Sequence, residues 1–530
     1  METETSYDRV PYRPMSFPKQ NPARIAAVGR LYGLKPGRPS GSRVLELGCG
    51  QGFTALGLAQ VYPESEFLAV DLSVKQAAVG SRLAEAAGLK NLRVEGRSIL
   101  DVSKEKDGEF DYITCHGVFS WVPNEVQEKI LEICGTMLKP QGMAYLSYNT
   151  LPGWSHLRVI REMLVYHCSR FEDPMEKVRQ GKALVALLRD CVPGGADSWT
   201  AKFTAHAAQM VDQADPAYFL HEYLEDSNEP CYFSDFMARA ETHGLQFVSE
   251  MPLTASLPGM LGPHVGKLVD LLQRSVVDRE QYMDFLRNTQ FRTTLLCRKE
   301  VSLDRNLQMN RAASMAFASC PTPEVSPVKL AAGENHVFGF PGGKKFGTSD
   351  PLAKALLVAM GNQKDQFLGL RSLAAEAKKS FSAENVPSPA GTDEDMFLGL
   401  VLNALAQLVG SGLVELSDPD VGCWVPHLGV MERPVTVPLN RTAAAEHKPP
   451  LRWDFNVMEI GEDAAVLLAL CDGTRTQGEL FAAFKAAGEA GAYPPPAPPM
   501  VGEQPDYRAA FVAAMRYLAQ NRLLWKPVGT

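Results

Sequence analysis

Cysteine pairs of the CxxC kind are missing from this sequence. Its ten cysteines, scattered from Cys49 to Cys471, form no cluster with histidine at zinc-ligand spacing. That pattern supplies neither a disulfide framework nor a metal site, and it suits a reducing compartment. The first residues, METETSYDRVPYRP, lack the apolar stretch of a signal peptide, so the expected location is cytoplasmic. Positive charge is also scarce: 53 Lys and Arg stand against 61 Asp and Glu, a net charge of −8. No overall field draws in nucleic acid, and a bound phosphate would need locally concentrated charge. One long apolar run exists, Phe397 to Leu416, with Glu415 as its single charge. Its GSG at 410–412 reads as a helix stop ahead of a strand, and Asp393, Glu394 and Asp395 favour a helix N-terminus. A buried helix plus strand is therefore expected rather than a membrane span.

The chain has 530 residues, 45% hydrophobic and 22% charged, which is enough for three or four domains with more than one core. Residues 42–149 alternate strand and helix signals. SRVLELG, EFLAVD, LRVEG, FDYITC and MAYLSYN read as five strands with helices between them, and Ser73 is positioned as a helix cap. This rhythm predicts a parallel, doubly wound α/β sheet. The stretch 155–242 is helical by its three-to-four spacing of apolar residues. Strand signals return at LQFVSE (245–250) and FRTTLLCRK (291–299). A seven-stranded Rossmann-like sheet over 1–300 follows, with the helical stretch as a cap inserted between strands five and six. After a proline-marked linker, 301–440 begins with a hairpin at HVFGFPGGKKFG and continues helix, helix, helix, strand, the order of a small winged-helix-like α+β module. Residues 441–530 make a second, with helices near 461–471, 476–488 and 507–521, a stiff YPPPAPP loop and a terminal strand LLWKP. Residues 331–440 hold 8 basic against 12 acidic residues, and 451–530 hold 7 against 9. Both modules are too acidic for nucleic acid, and protein recognition or homodimer formation is expected of them. A chain cut near residue 300 is expected to keep cofactor binding.

The sharpest motif is VLELGCGQG, Val44 to Gly52, where glycines 48, 50 and 52 end an apolar strand and open a helix. Phe53 stands where a dinucleotide fingerprint wants its third glycine, and Glu46 would repel a pyrophosphate. Asp71 ends the second strand, 19 residues past Gly52, placed for ribose hydroxyls. A ribose, a cationic end and no phosphate describe S-adenosylmethionine. Strand three offers Ser98 to the adenine edge, with Ile99 beside it to stack on the ring. The expected cofactor set is Glu46, Gly48, Cys49, Gly50, Asp71, Leu72, Ser98, Ile99, His116 and Gly117, with no metal. Methyl transfer is a direct displacement that needs alignment and exclusion of water more than a base. The segments CHGVFSWVP (115–123) and SYNTLPGW (147–154) lie where strands four and five end, and bring Tyr148, Asn149, Trp121 and Trp154 together with His116 and Phe119. These aromatics either shield the sulfonium and hold an amine or pack the next helix. His116 either accepts a proton or only hydrogen-bonds the cofactor. Tyr7, Tyr12 and Phe17 of the N-terminal arm form either a lid over the cofactor or a loose tail.

Together YDRVPY, VLELGCGQG, HGVFSWVP, SYNTLPGW, HEYLEDSNEPCYFSDFMARAETHGLQFVSE and YMDFLRNTQFRTTLLCR resemble the bacterial class I methyltransferases that carry a methyltransferase regulatory domain. Among these are the rickettsial-type protein lysine methyltransferases of outer-membrane proteins. The resemblance implies that Glu46, Gly48, Gly50 and Asp71 bind S-adenosylmethionine beneath Tyr12 and the HGVFSW loop. Ser98 departs from the family's usual acidic residue. It further implies a lysine-bearing protein substrate, and Glu222, Glu225, Asp226 and Glu229 offer either an acidic rim for it or a solvated helix face. Two other functions stay open, a small-molecule N- or O-methyltransferase and a cofactor-binding regulator without turnover.

Overall fold

The computed structural model describes residues 6–191, 198–225, 227–363, 366–391, 393–420, 422, 424–426, 431–452, 456–498 and 504–527. A single turn α1 (Ser6–Arg9) and α2 (Pro22–Leu31) precede the first strand; the Asn21 side chain accepts from the Ala23 N–H at the start of α2. β1 (Arg43–Leu47), α3 (Phe53–Val61), β2 (Glu66–Asp71), α4 (Val74–Ala86), β3 (Leu92–Gly96) and the one-turn α5 (Lys104–Asp107) come next. They are followed by β4 (Phe110–Cys115), α6 (Asn124–Met137) and β5 (Leu138–Asn149). Ser73 caps α4 by accepting from the Gln76 N–H at 3.1 Å. Five helices then intervene: α7 (Trp154–Cys168), α8 (Pro174–Cys191), α9 (Trp199–Gln213), α10 (Pro216–Tyr223) and α11 (Phe233–Thr242). β6 (Leu245–Glu250), α12 (Pro263–Leu272), α13 (Val276–Arg287) and β7 (Phe291–Arg298) complete the unit.

The strands make one seven-stranded sheet in the order β3-β2-β1-β4-β5-β7-β6. β1 to β5 run parallel, and β7 lies antiparallel between β5 and β6. The helical stretch does fall between strands five and six. Val44, Phe67, Tyr112 and Tyr145 face one side of the sheet, and Leu45, Leu68, Ile113 and Leu146 the other. Both faces are buried, which is why these strands read as nearly continuous apolar runs. α6 and α11 cover the second face through Ile130, Ile133 and Phe236.

The first face is covered by α2, α3 and α4, and also by chain beyond residue 301. That region holds β8 (Ala316–Ala318), β9 (Thr322–Pro323), β10 (His336–Gly339), β11 (Lys345–Thr348) and α14 (Pro351–Gln363). It continues with β12 (Leu368–Gly369), α15 (Leu370–Ala383), α16 (Glu394–Gly410) and β13 (Glu415–Ser417). β10 and β11 form the hairpin expected at PGG, with Gly342 and Gly343 at φ +78° and +79°. Phe317, Leu356, Phe397 and Leu405 belong to the same core as Ile25, Leu31 and Phe53. Arg30 pairs with Asp418 at 2.6 Å, Arg24 with Glu415 at 2.9 Å, and the Asp418 N–H donates to the Ala23 carbonyl at 2.9 Å. The boundary expected at 301 thus ends the sheet without ending its core. The apolar run 397–416 is the expected helix and strand, divided at Gly412 (φ +67°). No helix among the described residues is long and apolar enough to cross a membrane.

The last region comprises β14 (Trp424–Pro426), α17 (Pro438–Ala445), α18 (Glu462–Leu470), α19 (Gln477–Glu489), α20 (Tyr507–Gln520) and β15 (Trp525–Pro527). It has its own core, with Leu467, Leu480, Phe484 and Leu518 at the centre. The boundary drawn at 440 falls inside α17. That helix docks back on the first unit, where the Leu439 N–H donates to Gln60 Oε1 and Arg82 pairs with Glu446. The proline loop is anchored at its first residue, Tyr493, whose ring stacks on Phe484 at 4.7 Å; Pro499 lies outside the described residues.

The shared core reverses the expectation for a shortened chain. Cutting after Lys299 bares the apolar side of α2 and α3, so the fragment should lack a cooperative unfolding transition in urea and bind an apolar dye. A fragment that unfolds cooperatively and keeps cofactor affinity would refute this.

Candidate active site

β1 delivers the glycine loop to the edge of the sheet. Gly48, Gly50 and Gly52 have φ of +70°, +55° and +72°, a region that side chains disfavour. At Gly48 a Cβ would also lie 2.3 Å from the Val118 side chain, so the loops after β1 and β4 are in contact. The Gly48 and Cys49 N–H groups both donate to the Val70 carbonyl, at 2.8 and 3.1 Å. Asp71 ties the loop to the end of β2: its Oδ2 accepts from the Gly50 N–H at 2.6 Å and its Oδ1 from the Ser73 N–H at 2.9 Å. Burial raises its pKa above the usual carboxylate value despite these bonds.

Beside Asp71, Leu72 is 63% exposed and Leu100 41%, an apolar edge open to a flat ring. Ile99, expected to stack on the ring, is buried, and its neighbour Leu100 is the exposed one of the pair. The turn 99–101, capped by the Ser98 side chain on the Leu100 N–H, points Leu100 outward and buries Ile99 in the sheet core. Two adjacent apolar residues gave no sign of which would face out.

Glu46 differs from its expected role. Its carboxyl turns beneath the loop to the Ala55 N–H and Thr54, in the first turn of α3, whose N-terminal residue Gly52 has no capping side chain. Its Oε2 is buried without a hydrogen-bond partner, beside a void of about 10 Å³. Burial pushes its pKa up to about 8, so near neutrality it is largely protonated and repels nothing. The exclusion of a pyrophosphate through its charge fails. The left-handed glycines, the tethered Asp71 and the open Leu72–Leu100 edge nonetheless form a cradle that fits a ribose and a base.

Above the loop lie His116 and the N-terminal arm. The His116 ring sits 3.9 Å from that of Phe17 and meets Phe291 edge-on at 5.6 Å, with Nδ1 2.9 Å from the Tyr145 hydroxyl. Burial, with the Lys19 charge behind it, pushes its pKa down to about 3. A neutral imidazole this weak is no general base at neutral pH, which leaves hydrogen bonding as its chemistry. Gly117 donates its N–H to Ser147 Oγ at 2.7 Å. The arm crosses the loop: the Phe17 N–H donates to Thr54 Oγ1, Gln51 Nε2 to the Tyr12 carbonyl, and Ser73 Oγ to Asp8. Its other side rests on α10, where Tyr7 and Tyr12 lie 4.4 and 4.7 Å from the His221 ring. The two nitrogens of His221 face the Val10 carbonyl at 2.7 Å and Glu225 Oε2 at 3.0 Å.

The remaining expected residues separate by strand alternation. Tyr145, Ser147 and Asn149 share one face of β5, and Tyr148 points the opposite way. Its ring stacks on Phe236 at 4.1 Å and its hydroxyl pairs with Thr294, inside the core. Tyr148 is therefore removed from the acceptor side, and Phe119 joins the same core edge-on to Phe236. Asn149 stays: its main-chain N–H donates to Ser120 Oγ, while its buried Nδ2 has no partner. Neither polar side-chain atom of Asn228, in the segment beside it, has a partner either. Trp121 meets Trp154 edge-on at 6.0 Å. Among the acidic residues, Glu225 is committed to His221, Glu229 is exposed, and Asp226 lies outside the described residues. Glu222 stands out: burial pushes its pKa up to about 7 against the opposing charge of Arg161. Its charge acts on the hydroxyls of Tyr7, Tyr12, Tyr218 and Tyr223.

If this cradle takes the cofactor, Asp71→Ala should weaken S-adenosylmethionine at least tenfold in titration calorimetry, about 1.4 kcal/mol. Gly48→Ala should do the same through its blocked φ and the Val118 contact. Unchanged affinity in both variants would reject the cradle.

Known proteins agree with this geometry. Residues 44–142 match the family model described as a methyltransferase domain, and 215–298 that described as a predicted methyltransferase regulatory domain. The second match begins at α10 and runs through β7, so it includes the last two strands of the sheet and leaves α7–α9 outside. The uncharacterized protein RP789 of Rickettsia prowazekii is 34% identical over 419 residues, 78% of this chain and 73% of its own length. RP028 of the same organism is 41% identical over 236 residues, 44% of this chain and 94% of its own. Among solved structures, PKMT2 from Rickettsia typhi in complex with AdoHcy superposes with a TM-score of 0.82 at 27% identity, covering 97% of this chain and all of that one. Glycine cradle, sheet order and both family matches converge: this chain belongs to the class I S-adenosylmethionine-dependent methyltransferases that carry a methyltransferase regulatory domain.

Proposed function

We propose that this methyltransferase modifies lysine side chains of a protein substrate. The observation that carries the proposal is Glu222, a carboxyl with a pKa near 7 set among the tyrosines of the arm and of α10. The likeness to PKMT2, which extends over the whole of that chain, supports it.

We assign the ribose hydroxyls to Asp71, the adenine edge to Ser98, Leu72 and Leu100, and close backbone approach to Gly48 and Gly50. The bound cofactor supplies a methyl group on a positively charged sulfur. Around it, Phe17, Trp121 and Trp154 exclude water, and neutral His116 adds no positive charge beside the sulfonium. An arriving lysine ammonium is attracted by ionised Glu222 and by the faces of Tyr7 and Tyr12. Desolvation lowers its pKa, and one proton passes from the ammonium to the Glu222 carboxylate. The lone pair so released makes the amine a nucleophile. Asn149, whose Nδ2 lacks a partner, is the donor we assign to the substrate main chain.

Tritiated cofactor incubated with whole-cell lysate should label an acid-precipitable protein band, and hydrolysis should return methylated lysine. Label confined to small molecules would overturn the reading. The pH profile offers a second check. Because the Glu222 pKa is raised, the charged form appears only above about pH 7, so kcat/KM should rise through that value. Glu222→Gln should remove that limb and lower kcat/KM by about 100-fold; a limb unchanged in the variant would reject the role.

A further inference from the structure

The regulatory-domain helices α12 and α13 carry apolar side chains outward as well as inward, the inward side of α13 also holding Glu280 and Asp284. Inward, Val269 and Met283 are completely buried. Outward, Leu268, Leu271 and Leu272 on α12, with Phe285 and Leu286 on α13, recur at helical spacing and stay open to solvent; Leu271 is 83% exposed and Phe285 50%. Contiguous apolar surface of this kind is rare on a protein that binds nothing there.

Two routes connect this surface to the candidate active site. Phe291, also half-exposed, follows α13 at the start of β7 and pairs across the strands with Asn149, while its ring meets His116 edge-on at 5.6 Å. Phe285 meets the Tyr232 ring at 5.9 Å, and the neighbouring Cys231 N–H donates to the Asn149 carbonyl. The patch therefore ends at Asn149 and His116, at the mouth where an acceptor side chain would enter.

We infer that the α12–α13 face docks the polypeptide segment flanking the acceptor lysine, through apolar side chains of that segment. The inference rests on the protein-lysine reading and specifies the substrate further. Folded proteins bury most of their large apolar side chains. A segment that presents several of them next to a lysine is extended or unfolded, so the substrate is recognised before it folds or where it stays unstructured.

The test uses the full-length protein and two labelled peptides of equal length and charge, one with leucine and phenylalanine around a central lysine, the other with serine and glycine. The apolar peptide should bind at least tenfold more tightly by fluorescence anisotropy and show a correspondingly lower KM. Leu271→Asp with Phe285→Asp should erase that preference while leaving cofactor affinity and kcat unchanged. Leu271→Ser with Phe285→Ser, a milder pair, should reduce it in the same direction. Equal binding of the two peptides, or a preference that survives both variants, overturns the inference. So does a variant that changes only the sedimentation coefficient, which would make the patch a contact between copies. Binding is read without methyl transfer, so failure of the lysine reading (no lysine methylated in either peptide) is distinguishable from failure of this one.

Discussion

A single buried cation pins the last two strands of the sheet to each other and to α13. Arg292 of β7 reaches Glu250 of β6 at 2.6 Å and Asp284 of α13 at 2.9 Å, lies 3.3 Å from Glu280, and rests on the Phe233 ring. Glu250 in turn accepts from the Thr293 N–H and from Thr294, whose hydroxyl meets Tyr148. Taking four charges from water costs several kcal/mol each before their attraction is counted, so this cluster is tolerable only because nearly every lone pair and N–H in it is engaged. Burial still raises the pKa values of Glu280 and Asp284. The cluster fixes β7 against β6 and α13, and so fixes the end of β7 at which Phe291 and Asn149 stand side by side. The site mouth and the α12–α13 face are held in one frame by it.

The N-terminal arm links the glycine loop to α10, where the regulatory-domain match begins. Each ring nitrogen of His221 faces an oxygen acceptor, the Val10 carbonyl on one side and Glu225 on the other. A neutral imidazole can donate from only one nitrogen. Tyr7 and Tyr12 close on the same ring, so the arm that crosses the glycine loop is fastened to the helix that bears Glu222. One strip of chain thus crosses the glycine loop and rests on α10.

Much of this was legible in the sequence. Strand and helix order over 42–149, the Ser73 cap and the break at Gly412 followed from periodicity and turn chemistry that act locally. Glycine spacing and Asp71 identified the cradle because left-handed backbone and a strand-end carboxylate leave few other uses. What was not legible depended on direction. Tyr148 and Asn149 are adjacent in sequence and point to opposite faces of β5, a fact fixed by register rather than composition. Ile99 turns inward and Leu100 outward because of the turn at 99–101, which two adjacent apolar residues do not reveal. Glu46 looked like a charge until burial made it a largely neutral partner of α3. Glu222 carried no signal of its own among four acidic residues, since its raised pKa comes from burial, which the folded chain alone decides.

The core shared by α2, α3 and the region up to β13 also bears on synthesis. β7 closes the sheet at Arg298, yet Leu405 and Leu416, which complete the core around α2 and α3, follow roughly a hundred residues later. At the usual pace of about 5–20 residues per second, a ribosome takes several seconds to deliver them. Through that interval the sheet is hydrogen-bonded but the apolar sides of α2 and α3 stay bare, a natural client for a chaperone that recognises apolar surface.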